Sequence, residues 1–189
     1  MDTQEEKVTV DLLRKCKTLC DYARTGIQLG ADLRSKCLLA SMLVRLKWLQ
    51  AKSGDRTVYQ AAVNIGSLRR TLSMRAGDIF LVHEVLSESP YIRPEMAQEP
   101  PRCIVDLGAH IGLATLGFKA RFPEAKVHCY EPDPDNFALL KTNVAGLSGV
   151  SLHPEAVGTQ RAEGVLYIPK GATLVRRSLV HSMYNRWMK

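Results

Sequence analysis

Residues 101–131, PRCIVDLGAHIGLATLGFKARFPEAKVHCYE, restrict the possible folds of this chain more than any other passage. The apolar run Cys103-Ile104-Val105 ends in Asp106, and a glycine-spaced turn follows, Gly108-Ala109-His110-Ile111-Gly112. An apolar helix pattern comes next, then a second strand from Val127 to Tyr130, ending in Glu131. A carboxylate closes each strand, and a turn of bare backbone lies between them. Parallel α/β sheets build nucleoside sites from these parts, at the C-terminal ends of their strands.

The flanking sequence extends the pattern. From residue 102 onward the order reads βαβαβ, with strands at 102–106, 126–131 and 150–153 and helices at 112–121 and 134–145. Pro134 fits the first turn of its helix, where a missing N–H does no harm. Alternating strands and helices imply parallel pairing with right-handed crossovers. A turn at 159–164 and a short strand at 165–168 suggest an antiparallel addition, and the tail 169–189 is basic and weakly patterned.

Upstream, residues 8–25 and 31–52 read as helices, with Gly26 and Gly30 bracketing their connection as helix-ending residues do. Leu38, Leu39, Met42, Leu43, Leu46 and Leu49 form a broad apolar stripe of the kind that packs on a core or a partner. Strands at 58–65 and 68–74 around Gly66-Ser67 suggest a hairpin, and Asp78 is placed to cap a short helix at 79–86. Residues 89–101, rich in proline and polar side chains, read as the linker into the sheet. The expected division is therefore 1–100, a helical extension with hairpin and linker, and 101–189, an α/β ligand-binding domain.

Spacing narrows the ligand. A dinucleotide loop needs glycine at its first, third and sixth positions. Counted from Gly108, the third is His110 and the sixth Leu113, so both fail. A triphosphate loop needs a Gly-Lys-Ser/Thr end, which is absent. What remains is Asp106-x-Gly108-x-His110-x-Gly112.

That remainder is close to the first motif of the class I methyltransferases, Asp/Glu-x-Gly-x-Gly-x-Gly. With Ala109 and a polar residue at 110, it resembles the FkbM-type family, whose loop reads Asp-x-Gly-Ala-Asn-x-Gly. Tyr130-Glu131-Pro132-Asp133-Pro134-Asp135-Asn136-Phe137 is similar to that family's Glu-Pro-x-Pro-x-Asn-Phe segment, and Asn143 and Glu155-Ala156-Val157-Gly158 fit it too. The resemblance is firm over 103–158 and loose at 76–78 and 83–85. His110 departs from the usual asparagine.

The resemblance implies a Rossmann-like sheet that binds S-adenosylmethionine and an O-methyltransferase acting on a sugar, lipid or natural-product hydroxyl. This ligand carries no phosphate, so glycines at 108 and 112 would serve close backbone approach to its methionine end. The helix starting near Gly112 would point its positive end at the carboxylate. Asp106 would fix the loop beside the ammonium, and Glu131 would take the ribose hydroxyls. Pro132 and Asp133 would border the adenine, with Glu155 and Ala156 on its other side, and His110 would keep a polar contact. No catalytic base is identifiable and no metal ligand set is read.

The family's acidic cluster beyond this point, of the form Ile-Asp-x-Glu-Gly, does not follow Ile168. Two expectations follow: a fragment with weakened cofactor binding and no turnover, or a short paralogue whose N-terminal helices or second copy cover the gap. The alternative function is a non-catalytic interaction module with a degenerate nucleotide pocket, bound to a partner through its N-terminal helices.

Composition excludes little more. A net charge of +7 favours weak attraction to polyanions, but the cations are scattered and no nucleic-acid motif accompanies them. The longest apolar stretch, 38–49, is interrupted by Arg45 and Lys47, so no membrane span is expected. Five cysteines without paired spacings read as structural thiols in a reducing, cytoplasmic setting, with Cys103 and Cys129 as small hydrophobes in core strands.

Overall fold

The computed structural model describes residues 2–49, 57–87 and 99–159. The strand expected at 165–168, the basic tail and most of the linker expected at 89–101 lie outside the described residues.

Two helices open the chain, α1 (Asp2–Leu29) and α2 (Leu33–Leu49), packed on each other. Asp32 starts α2 by accepting the Ser35 N–H at 2.8 Å, and that bond holds the Asp32 carboxyl below its ordinary range. Gly26 does not end α1, as the sequence suggests, but lies inside it. A Cβ at Gly26 would sit 2.4 Å from the Ala40 backbone nitrogen, so glycine is what the helix crossing demands. Among the described residues no helix is long and apolar enough to cross a membrane.

The hairpin forms as its sequence predicts, β1 (Val58–Ile65) and β2 (Leu68–Arg75) antiparallel from Val58↔Arg75 to Ile65↔Leu68. Gly66 supplies the left-handed turn residue at φ +56°. The α1–α2 junction docks on β1, with Ala31 N–H donating to Ala62 O at 2.8 Å and Ala62 N–H to Ser35 Oγ at 2.8 Å. A 3₁₀ turn at Ala76–Asp78 leads into α3 (Ile79–Ser87). Thr25 and His83 tie α1 to α3 through a 2.8 Å hydrogen bond, and the Tyr22 ring meets His83 edge-on.

The α/β part comprises β3 (Cys103–Leu107), α4 (Leu113–Arg121), β4 (Lys126–Tyr130), α5 (Pro134–Asn143) and β5 (Val150–His153). The strands are parallel in the order β3-β4-β5. Both crossovers step the same way, so right-handed connections place α4 and α5 on one face of the sheet. The exposure pattern agrees. Val127 and Cys129 are buried under the helices, whereas Val105 and Leu107, on the opposite face, are 57% and 59% exposed. Cys103 shares that open face and is exposed, which corrects its expected place in the core. The period of two along β3 decides this: alternate side chains need a cover on each face, and among the described residues only one face has one.

One core joins both parts. Leu39, Leu43, Val63, Leu72 and Ile79 from the N-terminal elements are continuous with Ile111, Leu116, Val127 and Leu140. Asn143, at the end of α5, stitches the join. Its Oδ1 accepts the Ser73 N–H at 2.7 Å, and its Nδ2 donates to Ser73 O at 2.9 Å and to Ile111 O at 2.8 Å.

Candidate functional site

The turn after β3 folds back over the end of β4. Gly108 N–H and Ala109 N–H both donate to Tyr130 O, at 2.9 and 3.0 Å. Gly108 adopts φ +80°, and a Cβ there would meet nothing within 4 Å. Bare main chain therefore faces open space at this point. Gly112, at φ +89°, differs: its Cβ would lie 2.8 Å from Leu140 Cδ1 and 3.2 Å from Val144 Cγ1. The second glycine permits the turn before α4 to lie close against α5.

Between them His110 takes a left-handed φ of +52°, uncommon for a residue other than glycine. Its own N–H holds it there by donating to Glu131 Oε2 at 2.8 Å. The ring lies with Nε2 3.7 Å from Asp78 Oδ1.

The two strand-end acids have different surroundings. Asp106 points under α4, where Thr115 Oγ1 donates to its Oδ2 at 2.7 Å and also lies 3.1 Å from Cys129 Sγ. Burial pushes the Asp106 carboxyl up, the Thr115 hydrogen bond opposes this, and the nearby Glu131 charge adds to the rise. Burial also pushes the Cys129 thiol up to about 11. Glu131 is 3% exposed. Besides His110 N–H, it accepts Asp133 N–H on Oε1 at 2.9 Å and faces Asn136 Nδ2 at 3.5 Å. A carboxylate has about four acceptor positions, so Glu131 keeps capacity for one further donor.

Asp133 is buried and serves as the N-cap of α5, accepting Asp135 N–H at 2.8 Å and Asn136 N–H at 3.1 Å. Pro132 beside it is half-buried, and Glu155 and Ala156 are exposed beyond β5. Asn136 is 2% exposed and occupied within the protein, its Oδ1 accepting from an Arg75 guanidinium nitrogen at 2.5 Å. Asp78 does not cap α3; its Oδ2 turns back to Arg75, accepting the backbone N–H at 2.8 Å and Nε at 2.9 Å. His153 lies on the open sheet face, stacked on Tyr130 with centroids 4.4 Å apart.

Asp106, Gly108, Ala109, His110 and Glu131 are thus brought together at the ends of β3 and β4. Arg75 escapes sequence reading altogether. Its one local signal is Asp78 three positions on, a common spacing. Thr115 is equally silent in sequence, because its partners are brought near only by the sheet. Among the described residues, no group of three or more His, Cys, Asp or Glu side chains is placed to hold a metal ion.

No protein-family model matches the chain. Similarity to individual proteins is confined to part of it. The chain is 36% identical over 74 residues to Methyltransferase sdnD of Sordaria araneosa, covering 38% of this chain and 28% of that protein. It is 34% identical over 64 residues to 31-O-demethyl-FK506 methyltransferase FkbM of Streptomyces tacrolimicus, covering 34% and 25%. It is 30% identical over 86 residues to Methyltransferase 1 of Beauveria bassiana, covering 42% and 34%. The chain spans about a quarter to a third of the length of these curated relatives.

Proposed function

We propose that this chain binds S-adenosylmethionine at the ends of β3 and β4 and carries the cofactor half of an FkbM-type class I O-methyltransferase. The observation that carries the reading is the open backbone at Gly108, set between Asp106 and Glu131 on neighbouring strands. Three relatives named as methyltransferases support the same class.

In this reading the remaining acceptor position of Glu131 takes a ribose hydroxyl. Gly108 lets the methionine end approach the main chain, and Asp106, held under α4 by Thr115, fixes the turn beside its ammonium. His110 lines the turn. Pro132 and the backbone at Asp133 border the adenine, with Glu155 and Ala156 opposite. The cofactor supplies an activated methyl group on sulfur. The protein's part is to hold it in line with an acceptor hydroxyl of a sugar, lipid or natural product, since alignment accounts for most of the acceleration in such a displacement.

Isothermal titration with S-adenosylmethionine and S-adenosylhomocysteine tests the reading. Saturable binding is expected, and Glu131→Gln weakens it at least about tenfold, since a hydrogen bond to a charged group is worth roughly 1.5–3 kcal/mol. Equal affinity in wild type and variant removes Glu131 from the site, and no binding in wild type removes the cofactor. A second reading, an interaction module with a vestigial pocket, draws on one observation: the chain's own N–H groups already engage both Glu131 oxygens. Absence of binding to either ligand, together with a stable complex with another chain or a second copy, is the result that selects it.

A further inference from the structure

We propose that Arg75, Asp78 and Asn136 are positioning residues for Glu131 and His110, so that the hairpin junction is a working part of the ligand site. This rests on the cofactor reading above. Three separate segments meet here: residues 75–78, the glycine turn 108–112, and 131–136. Arg75 grips Asp78 through Nε at 2.9 Å and a terminal guanidinium nitrogen at 3.3 Å. The same terminal nitrogen donates to Asn136 Oδ1 at 2.5 Å. Asn136 Nδ2 then faces Glu131 Oε1 at 3.5 Å, Glu131 Oε2 holds His110 N–H, and the His110 ring returns to Asp78 at 3.7 Å. The polar groups form a ring whose last contact, at 3.7 Å, is longer than a hydrogen bond.

Donor chemistry gives the ring its direction. An arginine has only donors, so Arg75 fixes which end of the Asn136 amide it meets. Oδ1 must turn to Arg75, and Nδ2 must turn to Glu131. Without Arg75 the amide loses the donor that anchors Oδ1, and the long 3.5 Å contact of Nδ2 with Glu131 Oε1 is left to orient it. Asn136 and Asp78 are each 2% exposed, so water cannot readily substitute for the lost donor. Asp78 offsets the Arg75 charge, leaving Arg75 to act through its geometry.

The experiment is amide hydrogen exchange on the full chain without ligand, paired with titration of S-adenosylhomocysteine and its 3′-deoxyribose analogue. In Arg75→Met, exchange at the His110 and Asp133 amides, both donated to Glu131, is expected to rise about tenfold or more, while Val127 N–H in the sheet stays protected. The affinity penalty for removing the ribose hydroxyl is expected to shrink in the variant, because Glu131 is no longer held for it. The isosteric Asn136→Asp, which replaces the donor facing Glu131 with a second carboxylate, is expected to give both effects and stands in if Arg75→Met does not fold. Unchanged exchange at His110 and Asp133 in a folded variant overturns the proposal. So does a loss of affinity equal for both ligands. If wild type binds neither ligand, the cofactor reading fails, while the exchange measurement still decides whether Arg75 orders Glu131.

Discussion

Asp106 is the residue whose surroundings differ most from what its sequence position suggests. It lies one residue before the end of β3, yet its carboxyl sits under α4 with Thr115, and burial raises its pKa above the ordinary value of 3.8. The native state therefore holds that proton more tightly than the unfolded state does. Unfolding free energy falls as pH rises from 3.8 through the folded-state value, and the deficit persists above it. Asp106→Asn keeps an acceptor for Thr115 and removes the charge. Melting temperatures measured across pH should show the variant more stable than wild type near neutrality and level with it below the window. A gap of the same size at every pH would mean that burial of the charge is not the cause. Ligand affinity should fall in the same variant, the usual cost of relieving a strained site. None of this was legible in sequence, because neither Thr115 nor Cys129 is near Asp106 along the chain.

At the scale of elements, sequence patterning located nearly everything the structure describes. The hairpin, its turn and the βαβαβ order fell where residue periodicity and turn residues put them. The failures were glycines and faces. Gly26 read as a helix end, because composition cannot distinguish a helix-stopping glycine from one required by a neighbouring helix. Its role reverses the usual expectation for substitution. Glycine to alanine inside a helix normally stabilises by roughly 0.5–1 kcal/mol. At Gly26 the new methyl would meet the Ala40 backbone at 2.4 and 2.7 Å, which cannot rotate away. Gly26→Ala is expected to destabilise by about 1–3 kcal/mol, as overpacking does. Urea unfolding measures it, and a stabilised variant would show that α1 and α2 can separate without loss. Cys103 failed for a related reason: an apolar strand reads alike whether one face or both are covered.

For the whole molecule, the decisive connection is between the N-terminal elements and the sheet. Asn143 sits at that boundary with three hydrogen bonds, two across it to Ser73 on β2 and one within the α/β part to Ile111 in the glycine turn. Replacing it with leucine leaves three buried backbone groups unpaired. Each costs about 1–3 kcal/mol, so Asn143→Leu should lower stability by roughly 3 kcal/mol or more. Denaturant unfolding checks the magnitude, and amide exchange should show the hairpin and the glycine turn loosening together. A loss below about 1 kcal/mol would mean that water satisfies those groups and the clamp is not structural.

The sequence alone determined the order of elements, the parallel sheet and the turn between two strand-end carboxylates, because these depend on residues close together along the chain. Tertiary structure decided the rest. It set which face of the sheet the described helices cover, that Gly112 meets α5 while Gly108 stays bare, and that Arg75 reaches Asn136 across 61 positions. Those outcomes depend on distance in space, and local patterns of polarity and turn propensity carry no record of it.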